Sequence, residues 1–416
     1  MNDYKRIADF ARVKRGASPR PITDPKWFGE GVGWVRIGDV TRSSRFLRET
    51  EQHLSSLGET RSVRVEQGDL IMSICATIGK PIIVDMPACI HDGFVHLYDI
   101  QDVDVTYLYY VLQFTEDQLV AKGQPGTQVN LNTSIVGNHQ VFMPSLPEQR
   151  KIARILSTVD DLIERTEALI AKYRAIKQGL MHDLLTRGVD ASGRLRPPRE
   201  EAPGLYRESA VGWVPKEWEV VRVRQAGSVQ LGRQRAPKYQ SGTLTTPYLR
   251  VANVFDGWID YSDILSMDFS ETEKETYSLL PGDILLNEGQ SLELVGRSAI
   301  YEGEPNRYCF QNTLIRFRPS GDNLSRYCQA VLKYWLDIAR FPSVARQTTS
   351  VAHLGAERFA GMLFPKPDKH EQLRISRILM GQGALVLSEQ TRHHKLEKLK
   401  AGLMQDLLTG RVRVKV

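Results

Sequence analysis

The chain states the same pattern twice, 223 residues apart. "QGLMHDLLTRG" (178–188) returns as "AGLMQDLLTGR" (401–411). The register holds upstream without a gap, placing Glu148, Gln149, Ile152, Arg154, Ile155 and Leu156 over Glu371, Gln372, Ile375, Arg377, Ile378 and Leu379. Earlier still, an offset of 214 lays "WVRIGDV" (34–40) on "YLRVANV" (248–254) and "QGDLIMS" (67–73) on "PGDILLN" (281–287). A period this long is a duplicated domain and not a stack of short repeats. Whatever one half folds into, the other must fold into as well, so the fold needs two equivalent cores.

Each half divides in two. The first part holds short runs of β-branched and aromatic residues that stop at Gly, Pro or Asp, such as "KPIIVD", "GDILLNEG" and "NTLIRFRP", the pattern of strands. One helix per half is expected within it, at "VTYLYYVLQFTEDQLVAK" and "SRYCQAVLKYWLDIARF". The second part is a long amphipathic run. From Glu148 there is no Pro or Gly until Gly179. Ile152, Val159, Thr166, Tyr173 and Leu180 recur at sevens, as do Ile155, Leu162, Leu169 and Ile176, with Leu156, Ile163 and Ile170 as a flanking row. A helix of about 40 residues, roughly 60 Å at about 1.5 Å per residue, outgrows a single domain, and such a stripe needs a helix to cover it. The second copy offers Ile375, Ile378, Leu385 and Leu399, interrupted by Gly381, Gln382, Gly383 and Glu389. Two equivalent units related by a two-fold axis place such helices antiparallel. The expected fold class is therefore α+β: two globular domains related by a pseudo-two-fold axis and joined by two long antiparallel coiled-coil helices. The expected segments are 1–147 (first domain), 148–187 (first helix), 188–212 (a linker rich in Gly, Pro and charge), 213–370 (second domain), 371–411 (second helix) and 412–416 (a basic tail).

Charge is polarised. The net charge is +6, yet 10–23 and 220–255 contain no acidic residue. Together these stretches hold Arg12, Lys14, Arg15, Arg20, Arg222, Arg224, Arg233, Arg235, Lys238 and Arg250. A basic face of this kind fits a polyanion such as nucleic acid. Four scattered cysteines with no C-x-x-C pair point to reduced thiols and a cytoplasmic protein, and no run is apolar enough to span a bilayer. Catalytic patterns are missing: there is no G-x-x-x-x-G-K-[ST] loop, no third ligand with zinc spacing beside His91 and His96, and no Ser/His/Asp signature. His393 and His394 sit on the second helix, where a seam or solvated role is expected. Glu66 with Asp69, and Asp283 with Glu288, could be imagined as metal ligands. Asp69 and Asp283 instead follow Gly in matching turns, where Asp forms or caps the turn. No metal or cofactor is indicated.

The order "GTQVNL" (126–131), "MPSLPEQRKIARIL" (143–156), the first helix with "GLMHDLLTRG", "VGWVPKEWEVVRV" (211–223), the second "PGDILLNEG", and "HEQLRISRIL" (370–379) with its helix resembles the specificity subunit of type I DNA restriction-modification enzymes across essentially the whole chain. It departs at "RQTTSVAHL" (346–354), which stands where the first half has "GQPGTQVNL". The resemblance implies a non-catalytic reader of double-stranded DNA. Each domain would recognise half of an asymmetric, bipartite target, and the helices would serve as spacer and as docking surface for two methyltransferase subunits. Restriction (helicase-nuclease) subunits would complete an adenine methyltransferase and ATP-dependent endonuclease.

Arg reads guanine and Asn or Gln reads adenine, while Lys and Arg hold phosphates. The candidates are therefore Arg15, Arg20, Arg233, Arg235 and Lys238 in the acid-free stretches. Lys80, Asn287, Gln290 and Arg297 join them from the loops after the "GD" strands, and Gln124, Gln128 and Asn130 from "GQPGTQVNL". The alternative readings are a stand-alone two-domain DNA-binding protein on a coiled-coil scaffold, and a structural protein whose basic loops are incidental.

Overall fold

The computed structural model describes residues 3–123, 130–236, 242, 245–347 and 351–415. The chain forms two compact units, Met1–Ala168 with Glu389–Val416, and Leu169–Ser388. The long helices Leu146–Thr186 and Lys369–Leu407 each contribute to both.

The first unit is built on a sheet in the order Arg12–Arg15, Phe94–Tyr98, Leu70–Ser73, Pro81–Val84, Phe46–Leu47. A second sheet joins Gln52–Leu54, Phe28–Val35, Ala88–Ile90 and Val63–Val65. The second unit repeats the first sheet's order with Gly227–Leu231, Leu314–Pro319, Ile284–Asn287 and Ser298–Ile300. Beside it lies a smaller sheet of Leu265–Asp268, Thr245–Leu249 and Cys309–Phe310. The central strands are buried along their whole length, which explains their unbroken apolar runs. The "GD" turns are as expected. Gly68 and Gly282 hold φ of 96° and 95°, a conformation only glycine adopts freely. The carboxylates that follow accept from Glu66 N and Leu280 N at 2.8 Å each.

The predicted domain helices form at Val105–Phe114 and Ser325–Asp337, with Glu116–Ala121 as a separate short helix after the first. Tyr107 Oη donates to Phe142 O, and Tyr327 Oη to Pro365 O. The duplicated Glu-Gln pair at the start of each long helix does matching work. Gln149 Oε1 accepts from Asp104 N (3.0 Å) and its amide donates to Pro144 O (2.9 Å). Gln372 Oε1 accepts from Leu324 N (2.9 Å) and its amide donates to Pro367 O (3.0 Å). Glu148 takes the Arg413 guanidinium through both oxygens, at 2.9 and 3.0 Å, and Glu371 takes that of Arg196. The repeated "LMxDLL" ends are core. Met404, Leu407 and Leu408 belong to the first unit's core, and Met181, Leu184 and Leu185 to the second's.

The long helices are antiparallel. In the first unit Asp160 meets Lys400 (2.8 Å) and Glu167 meets His393 (2.9 Å), so numbers rise along one helix as they fall along the other. In the second unit Lys177 lies against Gly383 in the same sense. The apolar rows read from the sequence need correction. Ile152, Val159 and Thr166 of the first row are buried as read, and so are Leu156 and Ile170 of the flanking row. Ile155, Leu162 and Leu169 are only half-buried and Ile176 is 38% exposed. On the second helix Ile375 is buried and Ile378 half-buried, while Leu385 and Leu399 are 44% and 50% exposed. Charged pairs, Asp160 with Lys400 and Glu167 with His393, run beside the buried positions. A search for the most apolar heptad rows passes over such positions.

Candidate nucleic-acid interface

In each unit the segments singled out by charge and loop position converge on one edge. The strand Arg12–Arg15 ends at Gly16, where a Cβ would lie 2.1 Å from His91 O; the strand Gly227–Leu231 ends at Gly232, where a Cβ would lie 2.1 Å from Gln311 O. Only glycine lets the backbone pass so close to the turn. From there the acid-free loops begin, against turns 91–93 and 311–313. Ile74 N donates to Gly93 O (2.8 Å), and Glu288 N donates to Thr313 O (2.9 Å). The chain after the "GD" strand thus joins the same edge in both units. Leu131 N donates to Ile74 O (3.1 Å) and Leu354 N to Glu288 O (2.8 Å). Leu131 and Leu354 therefore occupy equivalent places although the residues before them, Asn130 and His353, differ.

The candidate residues are distributed unevenly over this edge. Arg15 and Arg20 are exposed and sit on it. Arg15 Nε donates to Asp92 O (2.8 Å) and an Arg20 guanidinium nitrogen to Asp92 Oδ2 (2.9 Å). Asn130 and Arg235 are exposed, and Gln290 is half-buried in the short strand Gly289–Gln290 that pairs with Ala352–His353. Arg233 is taken inward: it is 6% exposed, donates to Glu273 Oε1 and Asp268 O at 2.6 Å, and lies over the Phe269 ring. Asn287 is fully buried and its amide donates to Val254 O (3.4 Å). Gln124, Gln128 and Lys238 lie outside the described residues.

Lys80 and Arg297 point elsewhere. They hold equivalent places, each just before a sheet strand, Pro81–Val84 or Ser298–Ile300. Lys80 Nζ donates to Thr41 O (3.5 Å) in a cleft of about 420 Å³ whose other walls include Asp160, Glu164 and Lys400. Arg297 lies over Phe255, 4.9 Å from the ring centroid. Burial lowers the pKa of both cations, and a neighbouring carboxylate, Glu116 or Asp256, works against it.

Sequence reasoning missed Asp92 and Ser18. Ser18 Oγ donates to Asp92 Oδ1 at 2.6 Å. A filter for acid-free basic stretches discards the acids that pair with them from elsewhere in the chain, Asp92 among them. Among the described residues no group of three or more His, Cys, Asp or Glu side chains could hold a metal ion, and no helix is long and apolar enough to cross a membrane.

Comparison with known proteins gives a consistent result. Residues 2–172 match the family described as "Type I restriction modification DNA specificity domain". The type I restriction enzyme MjaVIII specificity subunit of Methanocaldococcus jannaschii is 22% identical over 99% of this chain and 92% of its own length. The crystal structure of a type I restriction-modification S subunit from M. genitalium shares the fold, with a TM-score of 0.58 at 13% identity over 97% of this chain and 95% of that one. A chain from a structure of the type I R-M system, described for its complex assembly and conformational transition, has a TM-score of 0.57 at 16% identity, covering 97% of each chain.

Proposed function

Because residues 2–172 match the type I restriction-modification DNA specificity domain and the chain is similar along its length to a type I specificity subunit, we propose that it is such a subunit, that it reads an asymmetric, bipartite double-stranded DNA target, one half-site with each unit, and that it brings methyltransferase and restriction subunits to it in the cytoplasm. The observation that carries this reading is the edge built twice on one scaffold from different side chains. Arg15, Arg20 and Asn130 line it in the first unit, Arg235 and Gln290 in the second. Two edges with different donors and acceptors call for two different half-sites. The chain is the recognising member of the assembly, and the chemistry belongs to its partners.

The methyltransferase would dock on the long helices. On Lys369–Leu407, Leu373, Met380 and Leu387 are 38%, 49% and 65% exposed at seven-residue spacing. That spacing makes one stripe, a pattern against which a further helix can pack. The first-helix positions 223 residues earlier are Arg150, Ser157 and Glu164, so the two docking places differ in chemistry. The experiment is to co-express the chain with the methyltransferase encoded beside it and map methylated bases in the host genome. A single split motif with methylation in both halves is expected. Tight, specific DNA binding by the chain alone, with no stable methyltransferase assembly, would favour a stand-alone DNA-binding protein instead.

A further inference from the structure

Asp92 lies on the turn 91–93, against the start of the first unit's basic loop, and its polar atoms gather that loop. Its backbone carbonyl accepts from Arg15 Nε (2.8 Å), Oδ1 accepts from Ser18 Oγ (2.6 Å), and Oδ2 accepts from Arg20 (2.9 Å). Its own N–H points back to Ser18 Oγ (3.4 Å). The turn beneath is fixed from the other side: Gly93 N donates to His91 Nδ1 (2.8 Å), Gly93 O accepts from Ile74 N, and Gly16 leaves no space for the turn to shift inward. Three donors from residues 15, 18 and 20 therefore end on one residue 72 or more positions away in sequence.

An exposed carboxylate on a surface that binds a polyanion repels phosphate. As a lone ion pair it would contribute little stability, because exposed pairs are weak. Its placement makes sense as orientation. An arginine that reads guanine must present its planar fork at a fixed angle, and a long side chain left free gives up rotamer entropy on binding. The equivalent turn in the second unit carries Asn312 in place of Asp92 and an arginine, Arg233, already tied to Glu273.

We propose that Asp92 is the positioning residue of the first unit's reading edge, holding Arg15 and Arg20 in the pose in which they address DNA. This rests on the DNA-reading function proposed above. Asp92 trades some non-specific phosphate affinity for selectivity at one half-site.

The test uses the full chain assembled with its methyltransferase and a random duplex library, comparing wild type with D92N, D92E and S18A. The wild type selects two half-sites. D92N removes the charge and leaves one acceptor oxygen where Ser18 and Arg20 now have one each. It is expected to lose on the order of ten-fold preference at one half-site, leave the other half-site unchanged, and bind unrelated DNA more tightly. D92E restores the charge and is expected to recover part of the preference. S18A, which changes no charge, is expected to move the same half-site in the same direction by less. Unchanged preference in D92N overturns the proposal. So does an equal loss at both half-sites, which marks a general structural defect. A wild-type complex that selects no sequence at all overturns the DNA-reading function itself, an outcome distinct from either.

Discussion

The duplicated glutamine is the sharpest place to perturb the scaffold. Gln149 and Gln372 are 1% and 0% exposed. Each carboxamide satisfies one backbone N–H at the start of a domain helix and one carbonyl just before a long helix. Gln149→Leu keeps the volume and removes both bonds. Asp104 N and Pro144 O lose those partners at a side-chain position that is 1% exposed. At about 1–3 kcal/mol for each of the two stranded groups, the cost is roughly 2–6 kcal/mol, a large part of a domain's stability. Gln372→Leu strands Leu324 N and Pro367 O. The distances in the two halves agree to 0.1 Å, so the two costs should agree within about 1 kcal/mol. The assay is urea unfolding together with amide hydrogen exchange resolved by peptide. Q149L should accelerate exchange in Val105–Phe114 and spare Ser325–Asp337, and Q372L should do the reverse. A cost under about 1 kcal/mol for either variant, or exchange that rises equally in both helices, would refute the view that these side chains are the locks.

Other consequences can be measured directly. His139 is fully buried, and burial, followed by the Lys122 ammonium 3.2 Å away, pushes its imidazole down to about 4. The unfolded chain protonates near 6.5, so below that pH it binds a proton that the folded chain refuses, and stability falls as pH drops from about 6.5 toward 4. The loss attributable to this group approaches roughly 3 kcal/mol. The urea midpoint of His139→Gln should fall less than that of wild type between about pH 7 and 4.5, and parallel losses would contradict the assignment. Met380→Glu with Leu387→Glu places charge on exposed positions, so the chain should keep its own melting temperature while its affinity for the methyltransferase drops at least about ten-fold by sedimentation or calorimetry. Arg15→Ala with Arg20→Ala should weaken DNA binding and flatten the dependence of log K on log salt by about 0.9 for each phosphate that the chain no longer neutralises. An unchanged slope would remove both residues from the interface.

Much of the architecture could be read from the repeat, because a duplicated pattern announces duplicated contacts. The "GD" turns, the domain helices and the antiparallel long helices all follow from spacing and composition. What could not be read was set by pairs distant in sequence. Arg233 lies in an acid-free stretch, yet Glu273, 40 residues on, draws it inside. Lys80 looks like a loop cation, yet it reaches across to Thr41 beside Asp160 and Glu164. Asp92 carries the wrong sign for a polyanion site and sits where it can orient its neighbours. The helix seam was legible in part: hydrophobicity marks rows that could pack, and of these Ile152, Val159 and Thr166 are buried while Ile155, Leu162 and Leu169 are only half-buried, but it does not show where Lys400 and His393 meet Asp160 and Glu167.

The Glu-Gln repeat also shows how one scaffold can carry two unlike reading edges. Gln149 and Gln372 hold backbone groups through their carboxamides, and Glu148 and Glu371 each bond to an arginine that follows the end of a long helix. None of these bonds uses a side chain from the loops at the edge. The edge segments are joined to one another through Gly93 O, Thr313 O, Ile74 O and Glu288 O, which are again backbone carbonyls. A backbone acceptor is indifferent to the side chain it belongs to. Residues 17–20 and 233–236 can therefore differ, as can 91–93 and 311–313, without disturbing these backbone bonds, and each unit adds side-chain ties of its own, Ser18 and Arg20 to Asp92 in the first and Arg233 to Glu273 in the second. The glycines at 16 and 232 are the exception, because the turn carbonyl at 2.1 Å from a Cβ position leaves no alternative. A framework whose shared constraints fall on backbone and on two glycines lets the exposed side chains of the two edges differ, as the proposed reading of two unlike half-sites requires.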